Sequence, residues 1–194
     1  MCDGPLTSLH FLETVAEVTK GTRVLILGGS GSLGSAAVQI AAAMGAEVTA
    51  TSSARNAALV ASLGADRVID YAAEDALAAR GRYDVIYDTI GVASFGAARP
   101  ALAPRGRYVC PVLTLPRLGA VLRTSVFGGQ RARFSAAGLQ SPEVLRTLLA
   151  RLTGMVADGT LAPVLDRVYP LADLVEAHRH VEAGHKRGNV VAVA

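Results

Sequence analysis

Tryptophan is absent from these 194 residues, and aromatic residues together make up only 5% of them. A nucleic-acid-binding surface calls for a basic stripe interleaved with stacking aromatics. Here the basic residues are mostly scattered arginines (Arg99, Arg105, Arg107, Arg117, Arg123, Arg131 and Arg133), and the net charge is only +3, so nucleic acid is set aside as a partner. Cysteine is scarce as well. Cys2 and Cys110 make neither a disulfide framework nor a zinc cluster, which fits a reducing, cytoplasmic setting. Charged residues are few (18%) against 51% hydrophobic, a balance that excludes a disordered chain. No basic segment followed by an apolar run opens the sequence, so no signal peptide is read. Residues 24–46 carry no charge and are long enough to cross a bilayer, but five glycines and three serines interrupt them. A strand, a turn and a helix explain that stretch better than a membrane span.

What remains is a length suited to one α/β domain with a sizeable core. Residues 6–18 carry apolar side chains at helical spacing (Leu9, Phe11, Leu12, Val15, Val18) and are expected to be a helix. Val24-Leu25-Ile26-Leu27 is continuously apolar, as expected of a central strand covered on both faces. A glycine-rich loop follows, then an alanine-rich helix over 35–44 that Gly45 stops. The alternation continues: strand 47–51, helix 55–63, strand 67–70, strand 83–87, helix 94–102, a turn at Pro104-Arg105-Gly106, and strand 107–110. Strands alternating with helices through short glycine turns predict a doubly wound parallel sheet of Rossmann type. Residues 114–130 mix proline, glycine and arginine with apolar residues and give no assignable element. Residues 131–136 suggest a further strand. Ser141-Pro142-Glu143 starts a helix with a serine cap, proline in the first position and an acid in the first turn. Strand 162–168, helix 171–181 and strand 189–193 close the chain. The expected organisation is a lead-in helix (1–20), a Rossmann domain (21–160) and a strand–helix–strand return segment (161–194).

The loop Gly29-Ser30-Gly31-Ser32-Leu33-Gly34 carries the chemistry. A G-x-G-x-x-G pattern alone is weak, but here an aliphatic strand enters it and a helix leaves it. Gly29 is expected to permit the tight turn, Gly31 to admit backbone amides to a pyrophosphate, and Gly34 to let the helix pack closely on the strand. Phosphates would then rest on the helix N-terminus. No Gly-Lys-Ser/Thr follows, which excludes a Walker loop, and neither serine has the spacing of a nucleophile elbow.

The next strand selects the dinucleotide. An NAD site places an acid at its end to grip the ribose hydroxyls. After Glu47 no acid appears until Asp66, and the strand runs out into Thr51-Ser52-Ser53-Ala54-Arg55. Ser52 and Ser53 offer hydrogen bonds and Arg55 a forked cation, which suits a 2′-phosphate, so NADP(H) is preferred over NAD. A plain solvated role for Arg55 stays open. The missing acid also argues against an S-adenosylmethionine-dependent methyltransferase.

Residues 22–75 (TRVLILGGSGSLGSAAVQIAAAMGAEVTATSSARNAALVASLGADRVIDYAAED) resemble the cofactor domain of the medium-chain dehydrogenase/reductase superfamily, quinone oxidoreductase branch. YDVIYDTIG (83–91), APRGRYVC (103–110), GTLAPVLDRVYPL (159–171) and EAHRHVEAGHKRGNVV (176–191) fit the same family. The resemblance implies an NADPH-dependent reductase of quinones or activated C=C bonds that transfers hydride directly and without zinc. It adds Tyr71 to the 2′-phosphate pocket of Ser52, Ser53 and Arg55, and puts Ile90 and Gly91 at the turn past the adenine ribose. It departs at Gly188-Asn189, where the family has Gly-Lys. It also implies an N-terminal GroES-like catalytic domain; this chain starts only a helix before the cofactor domain, so that half is expected to be absent. A homodimer or a partner chain is then expected to cover exposed edges. The reading is the cofactor half of an NADPH-dependent oxidoreductase acting on a small quinone or enone-like molecule. The alternative is a non-catalytic NADP(H)-binding module.

Other candidates carry less. His178 and His180 are two apart on a helix and share no face, and no cysteine or acid completes a set of His178, His180 and His185 at a convincing spacing, so no metal is expected. Asp84 and Asp88 flank one strand; Asp88 sits in a strand-end turn, where aspartate commonly binds backbone. Cys110 is expected to be a buried core thiol. No residue stands out as a general acid or base.

Overall fold

The computed structural model describes residues 3–126, 129–184 and 186–194, so Cys2 and His185 lie outside the described residues. The apolar run at 24–27 becomes β1 (Arg23–Leu27). It lies inside a six-stranded sheet with β2 (Glu47–Ser52), β3 (Arg67–Asp70), β4 (Tyr83–Asp88), β5 (Leu102–Val109) and β6 (Arg131–Arg133). The order is β3-β2-β1-β4-β5-β6, and every neighbouring pair is parallel. This is the doubly wound Rossmann order, with the winding switching from one side of β1 to the other between β3 and β4. Alternate side chains of β1 enter different cores. Val24 and Ile26 join one with Phe11, Leu12 and Tyr87, while Leu25 and Leu27 join the other with Ile86, Phe95 and Tyr108. That division is why the run is uninterrupted.

The lead-in helix is α1 (Asp3–His10), continued by a single wide π turn (Phe11–Val15). The π turn brings the Phe11 ring onto Tyr87, stacked at 5.5 Å between centroids. Glu17, the one described non-glycine residue at positive φ, ends this segment and takes ion pairs from Arg107 and Arg133, tying it to β5 and β6. The helix after the glycine loop is α2 (Ser32–Ala43), which begins at Ser32 rather than at Ser35. Then come α3 (Ala57–Ser62) and the short α4 (Phe95–Ala98).

Two expectations about the second half change. Pro104-Arg105-Gly106 lies inside β5 as a bulge: Tyr83 pairs with Leu102 and Val85 with Arg107, so two steps along β4 meet five along β5. The unassigned stretch contains α5 (Leu115–Val126). The capped helix is α6 (Pro142–Ala157), with the Ser141 hydroxyl accepting from the Val144 amide. The return segment folds as β7 (Leu165–Pro170), α7 (Leu174–Glu182) and β8 (Asn189–Val193). β7 and β8 pair in parallel as a separate two-stranded sheet. Its apolar residues Leu165, Val168 and Val193 are exposed.

Candidate cofactor-binding site

The glycine loop is built from four glycines with different duties. The tight turn belongs to Gly28 (φ +85°), not to Gly29 as the sequence suggested. Thr51 at the end of β2 holds this turn. Its hydroxyl accepts from the Gly28 amide (3.0 Å), and its carbonyl accepts from Gly29 (2.8 Å). A Cβ on Gly29 would sit 2.9 Å from the Ala50 methyl, so Gly29 is needed for close approach to β2. A Cβ on Gly34 would overlap the Gly28 carbonyl, which locks α2 against the turn. Gly31 is the N-cap of α2; it has no side chain to cap the helix, and no acid follows in the first turn. The first amides of a twelve-residue helix are therefore left for an anion. Apart from those amides, Ser32 and Leu33 are engaged away from the cleft. The Ser32 hydroxyl donates to Asn189 Oδ1 (2.5 Å), and the Leu33 carbonyl accepts from Ser8 (2.9 Å).

Above the carboxyl ends of β1, β2 and β4 opens a cleft of about 970 Å³. Ser30 and Gly31 form its floor, Ser52, Ser53, Arg55 and Tyr71 one wall, and Ile90 and Val92 the opposite one. Tyr71 and Ile90 are 65% and 55% exposed, offering broad apolar faces to whatever enters. Glu74 and Asp75 also line the β3 side, but both are engaged: Glu74 binds Arg67 (2.6 Å) and Asp75 accepts from the Leu77 amide (2.9 Å). The expected residues therefore split. Ser30, Gly31, Ser52, Ser53, Arg55, Tyr71 and Ile90 reach the cleft, whereas Gly29 and Gly34 sit behind it as spacers. Gly91 (φ +74°) turns away, and a Cβ there would lie 3.2 Å from Arg117 and Val112.

Three cleft residues escaped the sequence. Thr51 holds the turn. Asn56 is nearly buried and bonds Ser30 Oγ through Nδ2 (3.2 Å), with its Oδ1 without a partner. Lys186, one of only two lysines, is half-buried, and burial pushes its ammonium below the usual lysine range. Lys186 arrives through the return segment, which docks on the loop: the Gly188 amide donates to the Ser30 carbonyl (2.8 Å), and Gln39 exchanges hydrogen bonds with Ala162. A cation thus reaches the cleft although Asn189 replaces the family lysine.

The β4 end of the cleft is held by buried polar groups. Asp88, fully buried, accepts from the amides of Gly91 (2.8 Å), Val92 (3.2 Å) and Ala93 (2.8 Å), so it serves backbone as expected of a strand-end aspartate. Burial, then the Asp88 charge, raises the Tyr108 phenol far above its ordinary value, and burial raises the Cys110 thiol. Both stay protonated at neutral pH. Asp84 instead pairs with Arg23 at the far end of β4, and His180 pairs with Asp166 (2.6 Å) in the return segment. Among the described residues no group of three or more His, Cys, Asp or Glu is placed to hold a metal ion.

The fold and the glycine turn define a Rossmann-type dinucleotide-binding unit. The chain belongs to the family described as zinc-binding dehydrogenase, whose match covers residues 63–191, within the medium-chain dehydrogenase/reductase superfamily. Among curated relatives, the zebrafish (Danio rerio) NAD(P)H oxidoreductase RTN4IP1, mitochondrial, is 34% identical over 186 residues, covering 87% of this chain and 48% of the relative. The chain therefore spans about half the length of the curated relatives it matches. Among solved structures, the quinone oxidoreductase of Coxiella burnetii superposes with a TM-score of 0.84 at 31% identity, covering 99% of this chain and 59% of that one. A mycobacterial protein solved with NADPH gives 0.81 at 27% identity, covering 100% and 63%.

Proposed function

We propose that this chain binds NADP(H) and is the cofactor half of a zinc-independent NADPH-dependent oxidoreductase of quinone or enone reductase type. One observation carries the cofactor choice: β2 ends without an acid, and Ser52, Ser53 and Arg55 line the cleft there instead. The residues fit such a cofactor. The amides at the start of α2 (Ser32–Gly34) suit a pyrophosphate, Ser52, Ser53, Arg55 and Tyr71 suit the 2′-phosphate side, and Lys186 adds a second cation. Ile90 and Val92 supply an apolar wall on the β4 side. When bound, the nicotinamide supplies hydride; the protein orients it and shields it from water. The relatives named as an NAD(P)H oxidoreductase and as a quinone oxidoreductase support this class of reaction.

The partner is a small quinone or enone-like molecule, and a second copy or a partner chain covers the exposed apolar residues of the return segment. Among the described residues no helix is long and apolar enough to cross a membrane. The setting is a reducing compartment, the cytoplasm, in which Cys110 remains a free thiol.

A second reading, a non-catalytic NADP(H)-binding module, is favoured by one feature: the titratable residues lining the cleft (Arg55, Tyr71, Glu74, Asp75, Lys186) include none from the β4–β5 side. The readings separate in one assay of the purified chain with NADPH and a panel of quinones and enones. Oxidation of NADPH above background supports the enzyme and contradicts the binding module. Tight NADPH binding without turnover contradicts the enzyme for this chain alone.

A further inference from the structure

Loop 91–93 follows β4, and Val92 and Ala93 line the cleft. Its three amides are all received by the buried Asp88 carboxylate. Its carbonyls meet a different group. Arg117, in the first turn of α5, donates through Nη2 to the carbonyls of Gly91 (2.6 Å) and Ala93 (3.0 Å), and through Nη1 to that of Val112 (3.1 Å) beyond β5. The same Nη2 stands 4.0 Å from Asp88 Oδ2. The side chain is only 14% exposed, and Tyr108 closes the arrangement with its hydroxyl 2.7 Å from the Ala93 carbonyl. Gly91 is required for the approach, since a Cβ there would press on Arg117 Nη1 and Val112. A short loop is therefore fixed from both edges, its donors by a carboxylate and its acceptors by a guanidinium fork.

In a doubly wound sheet the two halves of a dinucleotide lie on either side of the β1–β4 switch point. Ser52, Ser53, Arg55 and Tyr71 occupy the β2–β3 side, Ile90 and the Gly91 turn stand at the boundary beside the adenine ribose, and Val92, Ala93 and the β4–β5 side beyond them are left for the nicotinamide. We infer that Arg117 is a positioning residue for the nicotinamide half of the site: it does not touch the cofactor but clamps the loops after β4 and β5 into one preformed wall. This inference rests on the cofactor reading above. Ordering that wall only on binding would be charged against affinity for the nicotinamide half, while the adenosine half would bind as before.

The test uses two ligands and two variants. NADPH fills both halves; adenosine 2′,5′-bisphosphate fills only the β2–β3 half. For Arg117→Met, calorimetric titration is expected to show NADPH affinity lowered about tenfold, with the bisphosphate unchanged. Arg117→Lys keeps the charge beside Asp88 but cannot bridge three carbonyls. It is expected to show a smaller loss of the same selective kind, and it tests the clamp even if the Met variant fails to fold. Hydrogen exchange of the amides of Gly91, Val92 and Ala93 is expected to quicken in both variants while those of β1 and α2 stay protected. Equal losses for both ligands, or no loss for either, would overturn the inference, as would unchanged exchange at 91–93. A wild-type chain that binds neither ligand would overturn the cofactor reading itself, and the exchange result would then judge the clamp separately.

Discussion

Arg55 and the two serines before it carry the cofactor choice, and each can be tested alone. A charge-assisted hydrogen bond contributes about 1.5–3 kcal/mol, so Arg55→Ala is expected to weaken NADPH binding by roughly tenfold or more and leave NADH nearly unaffected. Ser53→Asp is expected to push the preference toward NADH, because a carboxylate repels the 2′-phosphate and accepts from a 2′-hydroxyl. Fluorescence titration with both nucleotides checks each change. Cys110 tests burial at the β5 end: the thiol is 2% exposed and burial raises its pKa, so an alkylating reagent is expected to reach it only after denaturation. Labelling of native chain, followed by mass spectrometry of the peptide holding Cys110, decides this.

Among the elements, the β1–loop–α2 unit was the most legible from sequence. A strand buried on both faces shows itself as an aliphatic run, and glycines mark the close approaches that follow. Even there the first duty shifted by one residue, from Gly29 to Gly28, because two adjacent glycines leave the position of the positive φ open. The bulge in β5 was not legible, since Pro104 and Gly106 read locally as a turn while pairing to β4 carries the strand through them. α5 was hidden by Pro116, Gly119 and a largely exposed apolar content. Gly34→Ala is expected to cost 3 kcal/mol or roughly that, since its methyl would overlap the Gly28 carbonyl and neither backbone can give way. Thermal melts measure the loss.

The docking of α1 adds a pH dependence. His10 is buried, Nε2 bonds Ser135 Oγ (2.7 Å), the Phe11 ring stands edge-on, and burial holds the imidazole below its ordinary 6.5. The unfolded chain thus takes up a proton that the folded chain refuses. The stability tied to His10 is complete above 6.5 and is lost as pH falls below it. Between about pH 7.5 and 5.5, the drop in melting temperature is expected to be smaller in His10→Gln than in the parent chain. An equal drop would show that His10 takes no part.

At the scale of the whole molecule, the return segment completes a site that begins far away in sequence. Its hydrogen bonds from Gly188 to Ser30 and from Ser32 to Asn189 place Lys186 on the cleft, and no local pattern announces such a contact. Asn189→Ala removes the Ser32 partner and a bond to the Val164 carbonyl. A loss of about 1–2 kcal/mol is expected, with faster proteolysis within 161–194 and weaker NADPH binding. The central claim, that this cleft holds NADP(H) through Ser52, Ser53 and Arg55, is tested most directly by titrating the purified chain with NADPH and with NADH under identical conditions. Saturable NADPH binding at least tenfold tighter than NADH is the result the account predicts. No NADPH binding, or binding of NADH as tight or tighter, would contradict it.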